Sequence, residues 1–250
     1  MATIAASPAE RKASDRKFYS RMALFLVALV LLGFGPSFYL RGIVPSYPRP
    51  NPTLPPSVLL HGSVFTIWMA LIVAQTQLIS ARKHEVHMRL GKAGVLFAIL
   101  MIPVMYLTAV WQVARNNQPP FTDPLTWTII PLAVIIPFAI MVWNGWSHRR
   151  DAEWHKRSML CAAIMVVMGP TIGRLPLAPP TTLGFTILHL LGFAVFLPLI
   201  IRDRRTGGHV HPATRLGLAM GAVAILTPLA VFWFNLPWAR IAAHLPGVGA

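Results

Sequence analysis

The chain has 250 residues, of which 55% are hydrophobic and only 12% are charged. Its apolar residues form runs of about 20, which is the length of helix that crosses a bilayer core of about 30 Å, and a soluble domain of this size is not built that way. The net charge of +15 does not indicate nucleic-acid binding, because the basic residues lie in short clusters between the apolar runs.

The chain begins with a polar, basic segment, residues 1–21. We assign residues 1–18 to a cytoplasmic tail that is disordered or lies on the membrane surface. The apolar run that follows, ending at Leu40, is long and lacks a small-x-small cleavage site, so we predict a first spanning helix instead of a signal peptide. Prolines crowd residues 41–56 and predict an external loop.

Six further apolar runs predict six more spans, which cover roughly residues 57–80, 88–113, 124–146, 157–175, 181–201 and 216–238. Together with the first they make seven, so the two termini are expected on opposite sides of the membrane. The amino tail and the connections after spans two, four and six hold 17 of the 22 Lys and Arg residues. By the positive-inside rule, this bias places the amino terminus in the cytoplasm and the short tail 239–250 outside.

The predicted fold is therefore an all-α, polytopic transmembrane bundle over residues 19–238, in the lipid bilayer of the bacterial inner membrane. Spans two to six are expected to form its core, with the first and seventh at the periphery. Prolines inside the spans are expected to kink the helices and to free carbonyl groups. These prolines are Pro103, Pro131, Pro137, Pro170, Pro198 and Pro228.

All seven acidic residues fall in tails, turns or span ends. Membrane enzymes and ion-coupled transporters usually need ionisable groups at depth. The placement therefore counts against a buried carboxylate proton relay, a carboxylate-bridged metal pair and an acid-lined cation path, although not against transport of neutral solutes. Histidine remains as the candidate for chemistry inside the membrane.

On the second span, His61, Trp68 and Gln75 recur every seven residues and therefore lie on nearly one face. One interpretation is an inward face whose polar members make interhelical hydrogen bonds. A second takes His61 as an axial ligand of a b-type haem with His189 on the sixth span as its partner, because imidazoles on two facing helices hold iron from both sides. A third is a site for a quinone or another small molecule.

The two histidines are expected at comparable depth, since at about 1.5 Å per residue His61 lies roughly 6 Å and His189 about 12 Å from the outer ends of their helices. Gly192, one turn from His189, either leaves room for a porphyrin plane or allows close helix packing. Arg174, at the outer end of the fifth span, pairs with a haem propionate or another anionic ligand, or else extends to the membrane interface.

His87 and His155 form a matching inner pair, each at the cytoplasmic start of a span and each followed two positions later by an arginine. Residues two apart on a helix diverge, so the histidines are expected to point inward while Arg89 and Arg157 point to lipid headgroups. One interpretation is a set of interfacial basic residues that anchor helices and bind the phosphates of anionic lipids. The other is a second haem.

The two inner turns are His87-Met-Arg89-Leu-Gly91 and His155-Lys-Arg157-Ser-Met159, and the second is followed by Gly-Pro-Thr-Ile-Gly-Arg174. In these motifs, residues 57–202 resemble an uncharacterised group of bacterial polytopic membrane proteins, and that resemblance implies no established activity.

The chain is more distantly similar to the cytochrome b561 type of di-haem membrane protein, in which histidines on four central helices form one pair near each face. That similarity implies pairing of His61 with His189 and of His87 with His155. In this chain, however, the inner histidines sit at the membrane boundary and the fourth span contains no histidine.

Two hypotheses from different classes follow. The first is a haem-binding electron-transfer protein, with His61 and His189 as metal ligands and with His87, His155 and Arg174 as further cofactor-binding residues. The second is a non-catalytic membrane protein that binds lipid, a small molecule or a partner subunit. The segment His84-Glu-Val-His87 is one residue short of the helical zinc-protease motif, so that class of enzyme is excluded.

Overall fold

A computed structural model describes residues 7–45 and 53–248 of the chain. Within these ranges the chain is helical, with turns between the helices and an isolated bridge between Arg41 and Val44, so the predicted all-α class is confirmed. Parts of three predicted segments lie outside the described residues, namely 1–6 of the cytoplasmic tail, 46–52 of the external loop and 249–250 of the carboxyl tail.

In chain order, the helices of the described residues are α1 (Pro8–Phe34) with a π-helical continuation (Gly35–Tyr39), α2 (Pro56–Ser80), α3 (His84–Arg115), α4 (Pro124–Trp127), α5 (Ile129–Ala133), α6 (Ile135–Ser147), α7 (Ala152–Ile172), α8 (Thr182–Phe193) with a 3-10 continuation (Ala194–Phe196), α9 (Leu197–Gly207), α10 (Pro212–Trp233) and α11 (Trp238–Ala242).

Six helical segments of the described chain are long and apolar enough to cross a membrane, and they match every predicted span except the fifth. Large apolar side chains on the outside of the bundle, such as Leu32, Ile99, Ile136 and Leu226, are more than half exposed. Such an apolar surface is typical of contact with lipid. These are the helices of a multi-pass integral membrane protein. The six segments are Ala9–Tyr39, Pro56–Ser80, His84–Arg115, Pro124–Ser147, Thr182–Gly207 and Pro212–Trp233.

The predicted fifth span, residues 157–175, overlaps α7, which lies at the centre of the bundle. This helix packs against α1, α6, α8 and α10, and every residue from Leu160 to Met168 is buried. A helix that is apolar all round is typical of a buried position. Because α1 and α10 both pack against α7, the expectation that the first and seventh spans are peripheral is wrong.

The described part of the predicted tail is helical and continuous with the first span. Ser7 caps α1, since its hydroxyl accepts from the N–H of Glu10 while the Glu10 carboxylate accepts from the N–H of Ser7. Further along, Asp15 forms ion pairs with Lys156 and Arg202. These contacts hold the start of α1 against α7 and α9, in contrast to the disordered or surface-lying tail that composition indicates.

Prolines divide the fourth and sixth predicted spans. The fourth is interrupted at Thr128 and Val134, which lie three residues before Pro131 and Pro137. Proline has no N–H to donate to the carbonyl four residues earlier, and its ring crowds that carbonyl, so the regular helix is interrupted within the turn that precedes the proline. In the sixth span, the 3-10 turn ends two residues before Pro198.

Arg157 points into the bundle at its inner end, where α2 ends and α3 begins. Its guanidinium pairs with Asp203 at 2.8 Å, and the Asp203 side chain is completely buried. Asp203 also accepts hydrogen bonds from the Thr214 hydroxyl at 2.6 Å and from the N–H of His211 at 3.0 Å. The expectation that Arg157 points to lipid headgroups is therefore wrong, whereas Arg89 is exposed.

Candidate functional site

A cavity of about 760 Å³ lies inside the bundle towards its outer end, where α1 ends and α2 begins. We call it the central cavity. Side chains of α1, α2, α3, α7, α8 and α10 contribute to its walls, which are mainly aromatic and aliphatic. His61 and His189 both line it. The structure therefore brings the two predicted outer histidines to one cavity.

His61 is oriented by a hydroxyl group on the neighbouring helix α3. Thr108 Oγ1 lies 3.2 Å from His61 Nδ1 and also 2.7 Å from the Val104 carbonyl. The Thr108 hydroxyl hydrogen is donated to that carbonyl, so Oγ1 accepts from Nδ1–H. Among the described residues, His61 Nε2 has no hydrogen-bond partner.

His189 is oriented by its own helix, α8. Its Nδ1–H donates to the Phe185 carbonyl at 2.9 Å, and the ring lies against the Phe185 ring with 3.7 Å between centroids. Nε2 has no hydrogen-bond partner within the described ranges, and it faces Gly169 of α7, where a Cβ would lie 3.6 Å away. Both outer histidines thus carry the ring hydrogen on Nδ1 and leave the Nε2 lone pair available.

Gly192 serves helix packing. A Cβ at this position would lie 2.8 Å from the backbone oxygen of Met168, so a side chain would force α8 away from α7. Of the two roles that the sequence left open for Gly192, close packing is the one that its surroundings explain.

The structure also brings the inner histidines together. The rings of His87 and His155 lie 6.2 Å apart between centroids and are nearly perpendicular. His155 Nδ1–H donates to the Gly145 carbonyl at 2.8 Å. On the other side, the Gln75 amide accepts from the N–H of Gly91 at 2.8 Å and donates to His87 Nδ1, in the amide orientation that satisfies both of its ends.

This arrangement makes the two inner histidines different from each other. Because His87 Nδ1 accepts a hydrogen bond, neutral His87 carries its hydrogen on Nε2, whereas Nε2 of His155 has no hydrogen-bond partner among the described residues. Neither ring lines the central cavity. The inner pair therefore differs from the outer pair both in its available nitrogen atoms and in the space around it.

A second cavity of about 520 Å³ adjoins the central one and shares seven lining residues with it, among them His61 and Arg174. We call it the outer cavity. Its wall includes the π-helical end of α1, where Phe38 packs against Gly62 so closely that a Cβ on Gly62 would overlap the Phe38 ring. π-Helical turns are often found at functional sites.

Arg174 lines both cavities. Its guanidinium lies over the Phe34 ring, 4.0 Å from the centroid, and donates to the Pro170 carbonyl at 2.5 Å. Two further arginines that were not singled out from the sequence, Arg41 and Arg115, line the outer cavity beside it. The Arg174 side chain therefore borders enclosed space.

The residues that orient the histidines were not predicted from the sequence. Thr108 is not ionisable, although a hydroxyl group within an apolar run is a visible signal. The pairing of Arg157 with Asp203 was not predicted either, because both residues lie at span ends.

Comparison with models of known protein families, with curated proteins and with solved structures gave no match.

Proposed function

We propose that the chain crosses the bacterial inner membrane seven times, with α7 as the fifth crossing, a cytoplasmic amino terminus and an external carboxyl terminus. The 21 residues of α7 extend over about 31 Å at about 1.5 Å per residue, which is long enough for the helix to cross the bilayer core with its charged first turn, at Glu153, outside that core. The distribution of Lys and Arg between alternate connections supports this orientation.

We further propose that the central cavity binds a b-type haem, which His61 and His189 would hold as its iron ligands. The observation that carries this proposal is the pair of imidazoles on one cavity, each with Nδ1 held by an acceptor and Nε2 available. Histidine ligands typically donate their other N–H in this way. The cavity volume of about 760 Å³ falls in the range of sites for small molecules and cofactors, about 300–1,000 Å³.

The surrounding residues have separate roles in this proposal. Thr108 and the Phe185 carbonyl fix the ring orientation of the two ligands and raise their basicity. Mainly apolar walls exclude water, and solvent exclusion is one determinant of reduction potential. Arg174 supplies positive charge beside the cavity for propionate groups. A bound haem supplies one-electron chemistry, and electron transfer is therefore the proposed function.

A second haem at the inner pair stays a prediction. His87 and His155, whose ring centroids are 6.2 Å apart, are the residues that would hold it. For His87 to bind through Nε2, however, the Gln75 amide would have to turn so that Nδ1 becomes the donor.

The test is an absorption spectrum of the full-length protein purified in mild detergent with haem supplied during expression. We expect a reducible Soret band that diminishes in His61→Ala and His189→Ala. His209→Ala is the matched control, since this histidine is exposed in the turn before α10. A well-folded, colourless preparation that takes up no added haem would reject the proposal.

The alternative is a non-catalytic protein that binds a small molecule, lipid or partner subunit. The size and apolar walls of the central cavity favour a small molecule among these three. Anionic lipid contacts are proposed for the cytoplasmic face, where Arg82, Lys83 and Arg89 are exposed. A colourless protein that retains an apolar compound through purification, and tolerates His61→Ala and His189→Ala without losing it, would favour this alternative.

A further inference from the structure

Thr171, the last residue but one of α7, has a buried hydroxyl group without a hydrogen-bond partner. The residue is completely buried, and its Oγ1 makes no hydrogen bond to any other described residue. Thr171 lines the central cavity and does not line the outer one. A buried polar atom that stays unpaired destabilises a protein, so such atoms are uncommon and each needs an explanation.

Other threonines on the long apolar helices pair their hydroxyl groups within their own helix. Thr66, Thr108 and Thr186 each donate to the carbonyl four residues earlier, at 2.7–2.8 Å, and this pattern is common for threonine in membrane helices. Thr76 donates to the carbonyl three residues earlier, at 2.9 Å. Because Thr171 makes no such bond, its hydroxyl is available to a group outside α7.

The methyl group of Thr171 already has a packing role. A Cβ on Gly33 of α1 would lie 2.8 Å from Thr171 Cγ2, so the methyl group is on the side that faces α1. The hydroxyl branches from the same Cβ in a different direction. Packing against α1 therefore explains the methyl group of Thr171, whereas the hydroxyl has no role in the fold that the structure shows.

The missing partner of the hydroxyl is an acceptor that a ligand can supply. None of the described residues that line the central cavity is an aspartate or a glutamate, and the Nε2 atoms of His61 and His189 do not accept from Thr171. A threonine hydroxyl donates one hydrogen bond. That bond is strongest when the acceptor is an ionised oxygen.

Thr171 lies at the outer end of the cavity. At about 1.5 Å per residue it is roughly 2 Å from the outer end of α7, whereas His61 and His189 are about 6 and 12 Å from the outer ends of their helices. A carboxylate is costly at the centre of the bilayer. The acidic edge of an amphipathic cofactor is therefore more stable at this end, and haem has such an edge, formed by its propionate groups.

We propose that Thr171 is a further cofactor-binding residue, whose hydroxyl donates a hydrogen bond to a propionate carboxylate of haem in the central cavity. This inference rests on the proposed function, because it names a residue of the same site. Thr171 would bind the acidic edge of the cofactor, while His61 and His189 would hold its iron.

The experiment is a titration of the haem-depleted, full-length protein in mild detergent with two iron porphyrins, followed by absorbance. Haem b carries propionate groups, whereas iron octaethylporphyrin has the same metal and no carboxylate. We expect Thr171→Val, which keeps the shape of the side chain, to weaken the binding of haem b about tenfold or more and to leave the affinity for iron octaethylporphyrin unchanged. Equal weakening of both, or no weakening of haem b, would overturn the proposal.

Matched variants separate the hydroxyl group from its surroundings. Thr171→Ser keeps the hydroxyl and should bind haem b more tightly than Thr171→Val does. Thr76→Val makes the same substitution at a residue that lines neither cavity, and it should bind both porphyrins as the wild type does.

The stability of the haem-free protein gives a second readout. Because Thr171→Val removes an unpaired buried group, we expect its unfolding temperature without haem to equal or exceed that of the wild type. A lower unfolding temperature would mean that the hydroxyl serves the fold, and would overturn the proposal.

The titration also separates failure of this inference from failure of the proposed function. If the wild type binds haem b, His61→Ala loses it and Thr171→Val keeps wild-type affinity, the inference alone is overturned. If the wild type takes up neither porphyrin, the haem site itself is rejected, and the role of Thr171 is overturned with it.

Discussion

Thr108 Oγ1 and the Phe185 carbonyl oxygen lie 3.2 and 2.9 Å from the Nδ1 atoms of His61 and His189. The first acceptor comes from a neighbouring helix and the second from the same helix, four residues earlier. A histidine that loses its Nδ1 acceptor can rotate and can exchange tautomers. These two hydrogen bonds therefore fix the orientation of each imidazole ring and leave the Nε2 lone pair available.

Thr108→Val removes the acceptor of His61 and keeps nearly the same volume. We expect haem affinity to fall about 10- to 100-fold, which is the usual effect of losing a partner of a metal-ligating histidine, together with a shift of the reduction potential. Titration of haem into the depleted protein measures the affinity. Thr108→Ser keeps the hydroxyl and should bind as the wild type does, whereas equal haem affinity in Thr108→Val would show that the hydroxyl has no such role.

We expect the protein to lose stability in acid because of Glu153, on the first turn of α7. Burial alone would raise the pKa of its carboxyl group, but hydrogen bonds and ion pairs with Lys156 and Arg157 outweigh burial and hold that pKa below its ordinary value of 4.5. A lowered folded-state pKa stabilises the fold at a pH above about 4.5, and this contribution is lost as the pH falls through the folded-state pKa.

The measurement is the unfolding temperature between pH 7 and pH 3.5. We expect Glu153→Gln to be less stable than the wild type at pH 7 and the difference between them to shrink on acidification. Glu85→Gln is the control, because Glu85 forms no ion pair within the described part of the chain. A difference that is constant with pH would contradict the assignment.

Among single residues, the sequence singled out the two histidines that line the central cavity, but not Thr108 and Phe185, which orient them. An imidazole inside an apolar run is conspicuous, so His61 and His189 could be selected. Hydroxyl groups in membrane helices commonly bond to their own backbone, and only the rotation of α3 relative to α2 decides that Thr108 also accepts from His61. No spacing rule links two residues that are 47 positions apart.

Glycines mark the places where the surrounding helices approach α7. A Cβ on Gly33 of α1 would lie 2.7 Å from the Thr171 carbonyl oxygen, one on Gly145 of α6 would lie 2.7 Å from Met159 Sδ, and one on Gly217 of α10 would overlap the side chain of Cys161. Gly192 of α8 makes the fourth such approach. Small residues at helix contacts are typical of membrane bundles, where packing replaces the hydrophobic effect.

Gly192→Ala is expected to destabilise the bundle by about 1–3 kcal/mol, the usual range for overpacking, because the neighbouring atom belongs to the backbone and cannot turn aside. Thermal unfolding in detergent measures the change. Gly207→Ala is the matched control, since a Cβ there would have no neighbour within 4 Å. Equal stability of the two variants would show that α8 adapts without cost.

The positions of the long helices were the most predictable feature of the structure. Runs of apolar residues were enough to place six long helices to within about six residues, apart from the amino end of the first, which begins about ten residues before the predicted span. This agreement arises because membrane spans have a length set by the bilayer. The interruptions of the fourth span at Thr128 and Val134 could be expected only as kinks. The π-helical turn Gly35–Tyr39 was not expected, since its form depends on contacts with α2.

Across the whole molecule, one charged cluster joins the inner ends of four helices. Arg157 of α7 binds Asp203 of α9, which in turn accepts from Thr214 of α10, while Asp15 of α1 binds Lys156 of α7. Removing one member of a buried pair leaves the other charge uncompensated. The cluster therefore couples helices that are distant in the chain, and sequence alone could not pair residues 46 positions apart.

Asp203→Ala is expected to lower the free energy of unfolding by about 3–5 kcal/mol, as for other broken buried pairs. The double variant Arg157→Met/Asp203→Leu should lose much less, because it removes both charges and keeps apolar volume. Denaturant titration of the wild type, Arg157→Met, Asp203→Leu and the double variant gives the coupling directly. Additive losses would show that the two residues act independently.

The proposed orientation predicts that a reporter active only outside the cytoplasm works when it is fused after residue 250, and that a reporter active only in the cytoplasm works when it is fused before residue 1. Fusions in the turn between α6 and α7 and in the connection between α7 and α8 test α7 itself, and they should report opposite sides. If both report the same side, α7 does not cross and the chain has six crossings.

The enclosed position of α7 has a consequence for biosynthesis. This helix is not among the segments of the described chain that are long and apolar enough to cross a membrane by themselves, so lateral release of the segment from the translocon into lipid is unfavourable when it is alone. Its partners α8 and α10 are made later and supply much of its surroundings. In a nascent chain that stops after residue 180, α7 is therefore expected to insert poorly into the membrane. Packing against the helices made later, and not the hydrophobicity of α7 itself, would keep it inserted.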